Sequence, residues 1–439
     1  MGGLIPDSFI QELLGRVDIV EIIERRLELK KAGREFQARC PFHDEITPTF
    51  TVSPQKQFYH CFGCGAHGSA IGFMMNYEGL EFVDAVEELA RHAGLEVPRE
   101  ASNRPRPSAG LYELLDQASS FYQQQLKANP EAIEYLKGRG LTGEVTRDFG
   151  IGFAPAGWDE LIRKLGKDEK QLEHLRKAGM ISKGRNGEYD KFRNRIMFPI
   201  HDRRGRVIAF GGRAMSEDGP KYLNSPETEL FHKGRELYGL YLARRSEAKL
   251  ERILVVEGYM DVVALAQYGL RNCVATLGTA TTGDHAELLF RAADEVIFCF
   301  DGDRAGRQAA WRALENTLPR LRDGRQARFL FLPEGEDPDS IVRHEGAEAF
   351  TERLDASQPL SDYFFEHYTA EVDMATLDGR ARLVARARPL LEVIPDGVFR
   401  DMMFDRLGAL AQHRLDDRPQ VASRNTSRRP AAVSYTHLR

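Results

Sequence analysis

Cysteine is scarce in this chain: five in 439 residues, three of them close together before residue 65. So few thiols, so unevenly spread, do not make a disulfide framework and suit a reducing cytosol. Long apolar runs are missing as well. Nothing approaches the roughly eighteen consecutive apolar residues that a membrane helix requires, so no membrane partner is expected. The first sixteen residues carry Asp7 and Glu12 and have no apolar centre, which excludes a secretion signal there. An excess of positive charge is also absent. The net charge of −5 argues weakly against a nucleic-acid partner, but the distribution matters more than the sum. Between residues 191 and 235, ten Lys/Arg stand against five Asp/Glu, either as a solvated surface or as a phosphate-binding face. There is no internal repeat. The remaining composition is that of a globular protein of two to four domains.

What is present begins with two capping patterns. Ser8-x-x-Gln11 and Asp18-x-x-Glu21 each precede helical apolar spacing, the second with Ile19, Ile22 and Ile23. Two short helices are expected. Then come Cys40-Pro-Phe-His43 and Cys61-Phe-Gly-Cys64, separated by seventeen residues. Within each pair the candidate ligands are two residues apart, the reach of one tight turn. Residues 49–52 and 56–60 read as strands around Ser53-Pro54, a hairpin that brings the pairs together. Three thiolates and an imidazole with no open position form a structural zinc set, which holds a fold rather than performing chemistry. His60 and His67 compete with His43, but only His43 completes a paired spacing. Phe50, Phe58, Tyr59 and Phe62 read either as a stacking face for single-stranded bases or as the module's small core. Residues 70–92 read as helical. Residues 97–110, rich in Pro and polar side chains, read as a linker.

A helical pattern over residues 111–136 stops at Lys137-Gly-Arg139-Gly140. Residues 190–212 read as a β-hairpin with Arg193 and Arg195 at its margin. Lys221-Tyr-Leu-Asn224 and Phe231-His-Lys233-Gly-Arg235 follow, loop-like and basic. Arg forks onto phosphate oxygens and Lys supplies a point charge.

Buried strands then alternate with helices, which implies a parallel sheet. The run Ile253-Leu-Val-Val256 ends in Glu257-Gly, and Val296-Ile-Phe-Cys-Phe300 ends in Asp301-Gly-Asp303. The run Ala327-Arg-Phe-Leu-Phe-Leu332 leads to Asp337 and Asp339. Open α/β sheets keep their ligands at such strand ends. Gly302 leaves the backbone free to turn so that both neighbouring acids can point at one ion. Asp301 and Asp303 alone could equally mark a capped helix start. If the three strands are neighbours, five carboxylates converge, and without compensating charge that costs several kcal/mol. Oxygen-only ligands select Mg²⁺ or Mn²⁺, and two such ions serve phosphoryl transfer. Beyond Ser340 the pattern is helical to about residue 415, and residues 416–439 read as a disordered or truncated tail.

These residues resemble those of bacterial DnaG-type primases. Glu257-Gly-Tyr-Met-Asp261 with Asp301-Gly-Asp303 resembles the Toprim signature, and Cys40, His43, Cys61 and Cys64 resemble the primase zinc ribbon. Phe192-Arg-Asn-Arg-Ile-Met-Phe-Pro, Lys221-Tyr-Leu-Asn-Ser-Pro-Glu-Thr and Phe-His-Lys233-Gly-Arg resemble stretches specific to primases. The resemblance spans about residues 5–415. It implies an α+β multidomain chain: a zinc-binding domain (1–100), a linker (101–110), a basic subdomain of the polymerase core (111–245), a Toprim domain with a parallel sheet (246–340), a helical subdomain (341–415) and the tail. It also implies a cytoplasmic enzyme of the replication fork that makes short RNA primers on single-stranded DNA from ribonucleoside triphosphates. Glu257, Asp301 and Asp303 would be catalytic. With Asp337 and Asp339 they would hold Mg²⁺ or Mn²⁺. Arg139, Arg193, Arg195, Arg213, Lys221, Asn224 and Lys233 would hold nucleotide and template, and one zinc would stabilise a ribbon that helps recognise the template. The replicative helicase and a single-stranded DNA-binding protein are the expected partners, although the helicase-docking domain is expected to be missing from this chain. The alternative is a non-catalytic recombination mediator that also pairs a zinc module with Toprim. It would not need the basic block or Asp337 and Asp339. A fused helicase is excluded by the lack of a G-x-x-x-x-G-K-[ST] loop.

Overall fold

The computed structural model describes residues 5–413, apart from 44, 46, 81, 96, 98–108, 186, 217–218 and 248–249. Most of the expected linker and the tail beyond 413 lie outside the described residues. The chain divides into two compact units, Met1–Thr317 with Arg325–Leu360 and Leu318–Gly324 with Ser361–Arg439.

The first helices are Asp7–Arg16 and Ile19–Glu24. Asp18 caps the second, accepting from the Val20 amide at 3.0 Å. The first runs from Asp7 with Pro6 at its N-cap position, so Ser8 lies inside the helix rather than at its start. A five-stranded antiparallel ribbon follows in sequence order: β1 (Lys30–Ala32), β2 (Glu35–Ala38), β3 (Phe50–Ser53), β4 (Phe58–Cys61) and β5 (His67–Gly68). Phe50, Val52, Tyr59 and Phe73 fill its core, a cluster made entirely of residues from this N-terminal module. The helical run over 70–92 is two helices, Ala70–Glu78 and Phe82–His92, parted by Gly79.

Helix Ala109–Ala128 is likewise separate from Pro130–Gly138. Pro130 has no N–H to continue a helix but suits the first turn of a new one, which Asn129 caps through the Ala132 amide at 2.9 Å. After β6 (Gly152–Ala154), β7 (Ile181–Gly184) and β8 (Gly187–Asp190) come β9 (Arg195–His201), β10 (Val207–Ala214) and β11 (Tyr222–Asn224). β7 and β8 pair as a separate two-stranded sheet, and the other four form a sheet ordered β11-β10-β9-β6, whose centre is the expected hairpin. Buried Asp190 accepts from the Leu161 and Ile162 amides at 2.7 and 3.1 Å.

The second large sheet contains β12 (Arg252–Val256), β13 (Cys273–Ala275), β14 (Glu295–Phe300), β15 (Gln326–Phe331) and β16 (Gln358–Pro359), ordered β13-β12-β14-β15-β16. All neighbours are parallel except β15 and β16. The near-continuous apolar runs of β12 and β14 are buried almost throughout, as parallel strands between helical layers must be. Strands β12, β14 and β15 are adjacent. The helix Pro338–Asp355 packs on Tyr259–Gln267, so the compact division falls after Leu360 and not at the boundary expected near 340.

The second unit contains helices Leu377–Leu391 and Val398–Ala411. Asp323 anchors the latter, accepting from the Val398 and Phe399 amides at 3.0 and 2.9 Å. Among the described residues no helix is long and apolar enough to cross a membrane.

Candidate metal centres and nucleic-acid interface

The β3–β4 hairpin pairs Phe50 with Cys61 and draws the two cysteine-containing turns together. The ligand atoms of Cys40, His43, Cys61 and Cys64 all lie within 4.8 Å of one another. Cys40 Sγ is 3.8 Å from Cys64 Sγ, and Cys61 Sγ is 3.7 Å from His43 Nδ1. Backbone amides of Phe42 and Cys64 donate to the Cys40 and Cys61 sulfurs, both at 3.4 Å. Burial pushes the Cys40 thiol up to about 12, with the neighbouring thiols adding to the rise. Cys61 is buried too, yet hydrogen bonds from Thr49 and the Cys64 and Gly63 amides bring it down to about 7. Glu45 supports the set from outside, 3.3 Å from His43 Nε2 while accepting from the Cys40 amide at 2.7 Å. Gly63 leaves room for the imidazole: a Cβ there would stand 2.5 Å from His43 Nε2. Three sulfurs and a nitrogen this close are a tetrahedral zinc donor set. His60 and His67 are outside it. Of the four aromatics, Phe50 and Tyr59 are fully buried in the core, whereas Phe58 and Phe62 are exposed, Phe62 at 74%.

The strand ends of the parallel sheet open on a cavity of about 320 Å³ lined by Glu257, Asp301, Asp337 and Asp339, and by Asp261. Burial raises the Glu257 carboxyl, and Asp301 and Asp303 raise it further. Asp301 is raised by burial, then by Asp337 and Asp303. Asp261 is pushed up to about 8 by burial and by Asp337, Asp339 and Asp301. Each carboxylate is thus destabilised by the others, as expected of an oxygen donor set that a divalent cation would neutralise. The carboxylates are spread more widely than the zinc ligands. Among the described residues, only the cysteine–histidine set gathers three or more donor atoms so tightly.

The two readings of Asp301-Gly-Asp303 divide between its acids. Asp301 faces the cavity. Asp303 accepts from the Gly306 amide at 2.7 Å, ahead of helix Arg304–Thr317, and does not line the cavity. Asp337 does both, capping Pro338–Asp355 through the Ser340 amide at 2.7 Å while lining the cavity. Asp339 is buried and meets Arg343 Nε at 2.8 Å, with Arg139 at 3.9 Å. Gly302 is required for a reason other than a free turn: a Cβ there would run into the Leu332 carbonyl oxygen at the end of β15. Sequence reasoning missed Asp261, although it sits one helical turn after Glu257. Its carboxylate accepts from the Gly258 amide at 3.1 Å.

Arg139, Arg213, Lys221 and Asn224 line the same cavity as the acids. Arg213 is buried, its Nε donating to Tyr135 Oη at 2.6 Å and its Nη1 to Tyr222 Oη. Lys221 Nζ lies 5.8 Å from the Tyr222 ring centre. Asn224 donates to the Leu277 carbonyl at 2.9 Å and accepts from Tyr259 Oη. The other three basic residues are elsewhere. Arg195 is only 7% exposed, and its Nη1 donates to the Pro220 carbonyl at 2.9 Å. Arg193 stacks over Trp158, 4.0 Å from the ring centre. Lys233 is set in a loop whose carbonyl meets His285 Nε2 at 2.9 Å.

A closed cysteine–histidine ribbon, joined to a parallel sheet whose acidic edge faces arginine and lysine, defines a zinc-containing nucleotidyltransferase of the Toprim class. Residues 5–105 match the CHC2 zinc finger family, 121–244 the N-terminal domain of the DNA primase catalytic core, and 251–330 the Toprim domain. The DNA primase of Pseudomonas putida KT2440 is 57% identical over 99% of this chain and 67% of its own length. That of Escherichia coli K12 is 53% identical over the whole chain and 78% of its own length. A DnaG catalytic domain solved bound to single-stranded DNA superposes with a TM-score of 0.67 at 54% identity, covering 69% of this chain and 96% of that one. The Aquifex aeolicus zinc-binding and RNA polymerase domains give 0.59 at 37% identity, covering 91% and 96%. The chain belongs to the bacterial DnaG-type DNA primase family, and its activity is that of a DNA primase. The mediator reading falls with that. So does the expected absence of a helicase-docking domain: residues 361–412 match the DnaB-helicase binding domain of primase. Those helices carry no metal or catalytic pattern, so the sequence alone shows only a helical subdomain there.

Proposed function

We propose that the cavity at the β12–β14–β15 edge is where ribonucleoside triphosphates are joined on a single-stranded DNA template. The observation that carries this is the meeting of carboxylates from three adjacent strand ends with Arg213 and Lys221 in one cavity. Glu257, Asp301, Asp337 and Asp339, with Asp261 added and Asp303 at the rim, would hold Mg²⁺ or Mn²⁺. Such ions activate a hydroxyl and stabilise a leaving pyrophosphate.

Arg213, Lys221 and Arg139, which line the same cavity as the acids, would neutralise the triphosphate. Arg213 is held by two tyrosine hydroxyls, so its fork is oriented before the substrate arrives. In the transfer the 3′-hydroxyl oxygen bonds to the α-phosphorus, its proton leaves, and pyrophosphate departs. Glu257 lines this cavity, and its carboxyl, raised by burial and by Asp301 and Asp303, is the stronger base for it when ionised, so it would receive that proton. Arg193, Arg195 and Lys233 would serve the template or hold the sheet that carries Arg213.

The ribbon would bind one zinc and help recognise the template. The segment 361–412 would engage the replicative helicase at the fork, with a single-stranded DNA-binding protein nearby. Primer synthesis on single-stranded DNA with Mg²⁺ or Mn²⁺ tests the assignment. Asp301→Ala and Glu257→Gln should each lower the rate at least about a hundredfold, or ~3 kcal/mol in the barrier, with zinc content and circular dichroism unchanged. Wild-type synthesis by both variants would sink the proposal.

A further inference from the structure

A larger cavity, of about 900 Å³, opens between the ribbon module and the polymerase core; it shares no lining residue with the acidic cavity, and Pro41 and Phe42 of the Cys40–His43 turn form part of its ribbon wall. Its walls come from the turn after helix Ala70–Glu78, from the β9–β10 turn and from helix Leu240–Ser246. Three arginines fasten the two modules across it. Arg203 Nη1 donates to the Gly79 carbonyl at 3.1 Å and Arg244 Nη2 to the Glu78 carbonyl at 2.6 Å. Arg204 Nη2 reaches Asp84 Oδ1 at 3.1 Å. Part of the basic block that the sequence offered as either solvated surface or phosphate face is therefore an inter-module contact.

That contact leaves positive charge over. Seven arginines line the cavity, of which Arg91, Arg204, Arg206 and Arg291 pair with Glu88, Asp84, Asp202 and Glu287. Arg244 bonds a carbonyl, and the carboxylate of Glu78 is taken by Arg26 at 2.5 Å. Among the described residues Arg244 makes no ion pair within 4.0 Å. Burial lowers its affinity for the proton, and Arg203 beside it lowers it further. Arg245 points its Nη1 at Tyr241 Oη, 3.3 Å away, and likewise makes no ion pair among the described residues. Adjacent guanidiniums in a partly desolvated cleft repel unless an anion joins them, and a phosphate accepts from two forks at once. Tyr77, Tyr241 and Phe290 supply flat apolar wall beside them.

We propose that this cavity is a second phosphate-binding site, in which Arg244 and Arg245 hold the phosphate groups of a nucleic-acid strand or a free nucleotide and so pin the ribbon module to the core. The site is independent of the nucleotidyl-transfer assignment. Hydrogen exchange of the full chain, read with and without a short oligothymidylate, ATP or pyrophosphate, tests it. Protection of residues 76–80 and 241–247 is expected with at least one probe. Protection by the oligonucleotide alone identifies a strand as the source, and protection by ATP or pyrophosphate identifies free nucleotide chemistry. In Arg244→Gln/Arg245→Gln that protection should vanish, while protection around residues 221–224 persists and zinc content is unchanged. If a strand is the ligand, the log–log salt slope of binding should fall by about 1.4, at about 0.7 per phosphate contact. Arg244→Lys should retain most of the protection. No protection of either segment by any probe, or protection that survives the double substitution, overturns the proposal.

Discussion

Asp190 shows how a single buried carboxyl makes stability depend on pH. It is 3% exposed and accepts two helix amides. Burial nevertheless raises it from an ordinary 3.8 to about 6. A carboxyl raised on folding favours the protonated folded state, so its contribution is fully present below about pH 4 and is lost as pH rises through about 6. Asp190→Asn should therefore gain stability relative to wild type across that interval, by about 3 kcal/mol. Denaturant midpoints of the two proteins at pH 4, 5, 6 and 7 measure it, and parallel profiles would contradict the assignment. At the same scale, the zinc ligands and the four strand-end acids that line the cavity, Glu257, Asp301, Asp337 and Asp339, were legible as residue types at fixed spacing. Asp261 was not, because its importance comes from facing Asp301, Asp337 and Asp339 across the cavity. Arg195 shows the opposite case: its charge at the hairpin margin points to nucleotide or template, and only the folded sheet reveals that its neighbours bury it against the Pro220 carbonyl.

At the scale of elements, the β14–helix junction and the end of β15 are fitted to each other through Gly302. Gly302→Ala would drive a methyl group into the Leu332 carbonyl, at a cost of about 1–3 kcal/mol. It would also displace Asp301 from the cavity. Thermal unfolding should drop by several degrees, and primer synthesis should fall further than the lost stability explains. An alanine variant with wild-type melting temperature and rate would show that the contact relaxes freely. The alternation of strands and helices announced the parallel sheet, because continuous apolar runs can be buried only between two helical layers. The helix breaks at Gly79 and Asn129-Pro130 were less visible, since apolar spacing continues across them.

For the whole molecule, the ribbon module has a core of its own, built from residues in the first hundred and clamped by the zinc ligands. Its stability should depend on the metal, whereas the polymerase core has a separate apolar cluster around β12 and β14. One zinc per chain is expected, lost on Cys61→Ser. Chelation should abolish one unfolding transition and leave the other near its original temperature. A single transition, unmoved by chelation, would mean that the ribbon does not need the ion.

The sequence by itself determined the chemistry available: three thiols and a histidine at zinc spacing, acids at strand ends, and a basic block between them. These survive reading in one dimension because each depends on neighbours along the chain. The tertiary structure decided which of those residues meet. Only the order β12-β14-β15 places Glu257, Asp301 and Asp337 around one cavity. Only the docking of the ribbon turns Arg203, Arg204 and Arg244 from apparent surface charge into an inter-module clasp. Contacts between residues more than a hundred positions apart follow from how buried faces pack, and no local pattern encodes them.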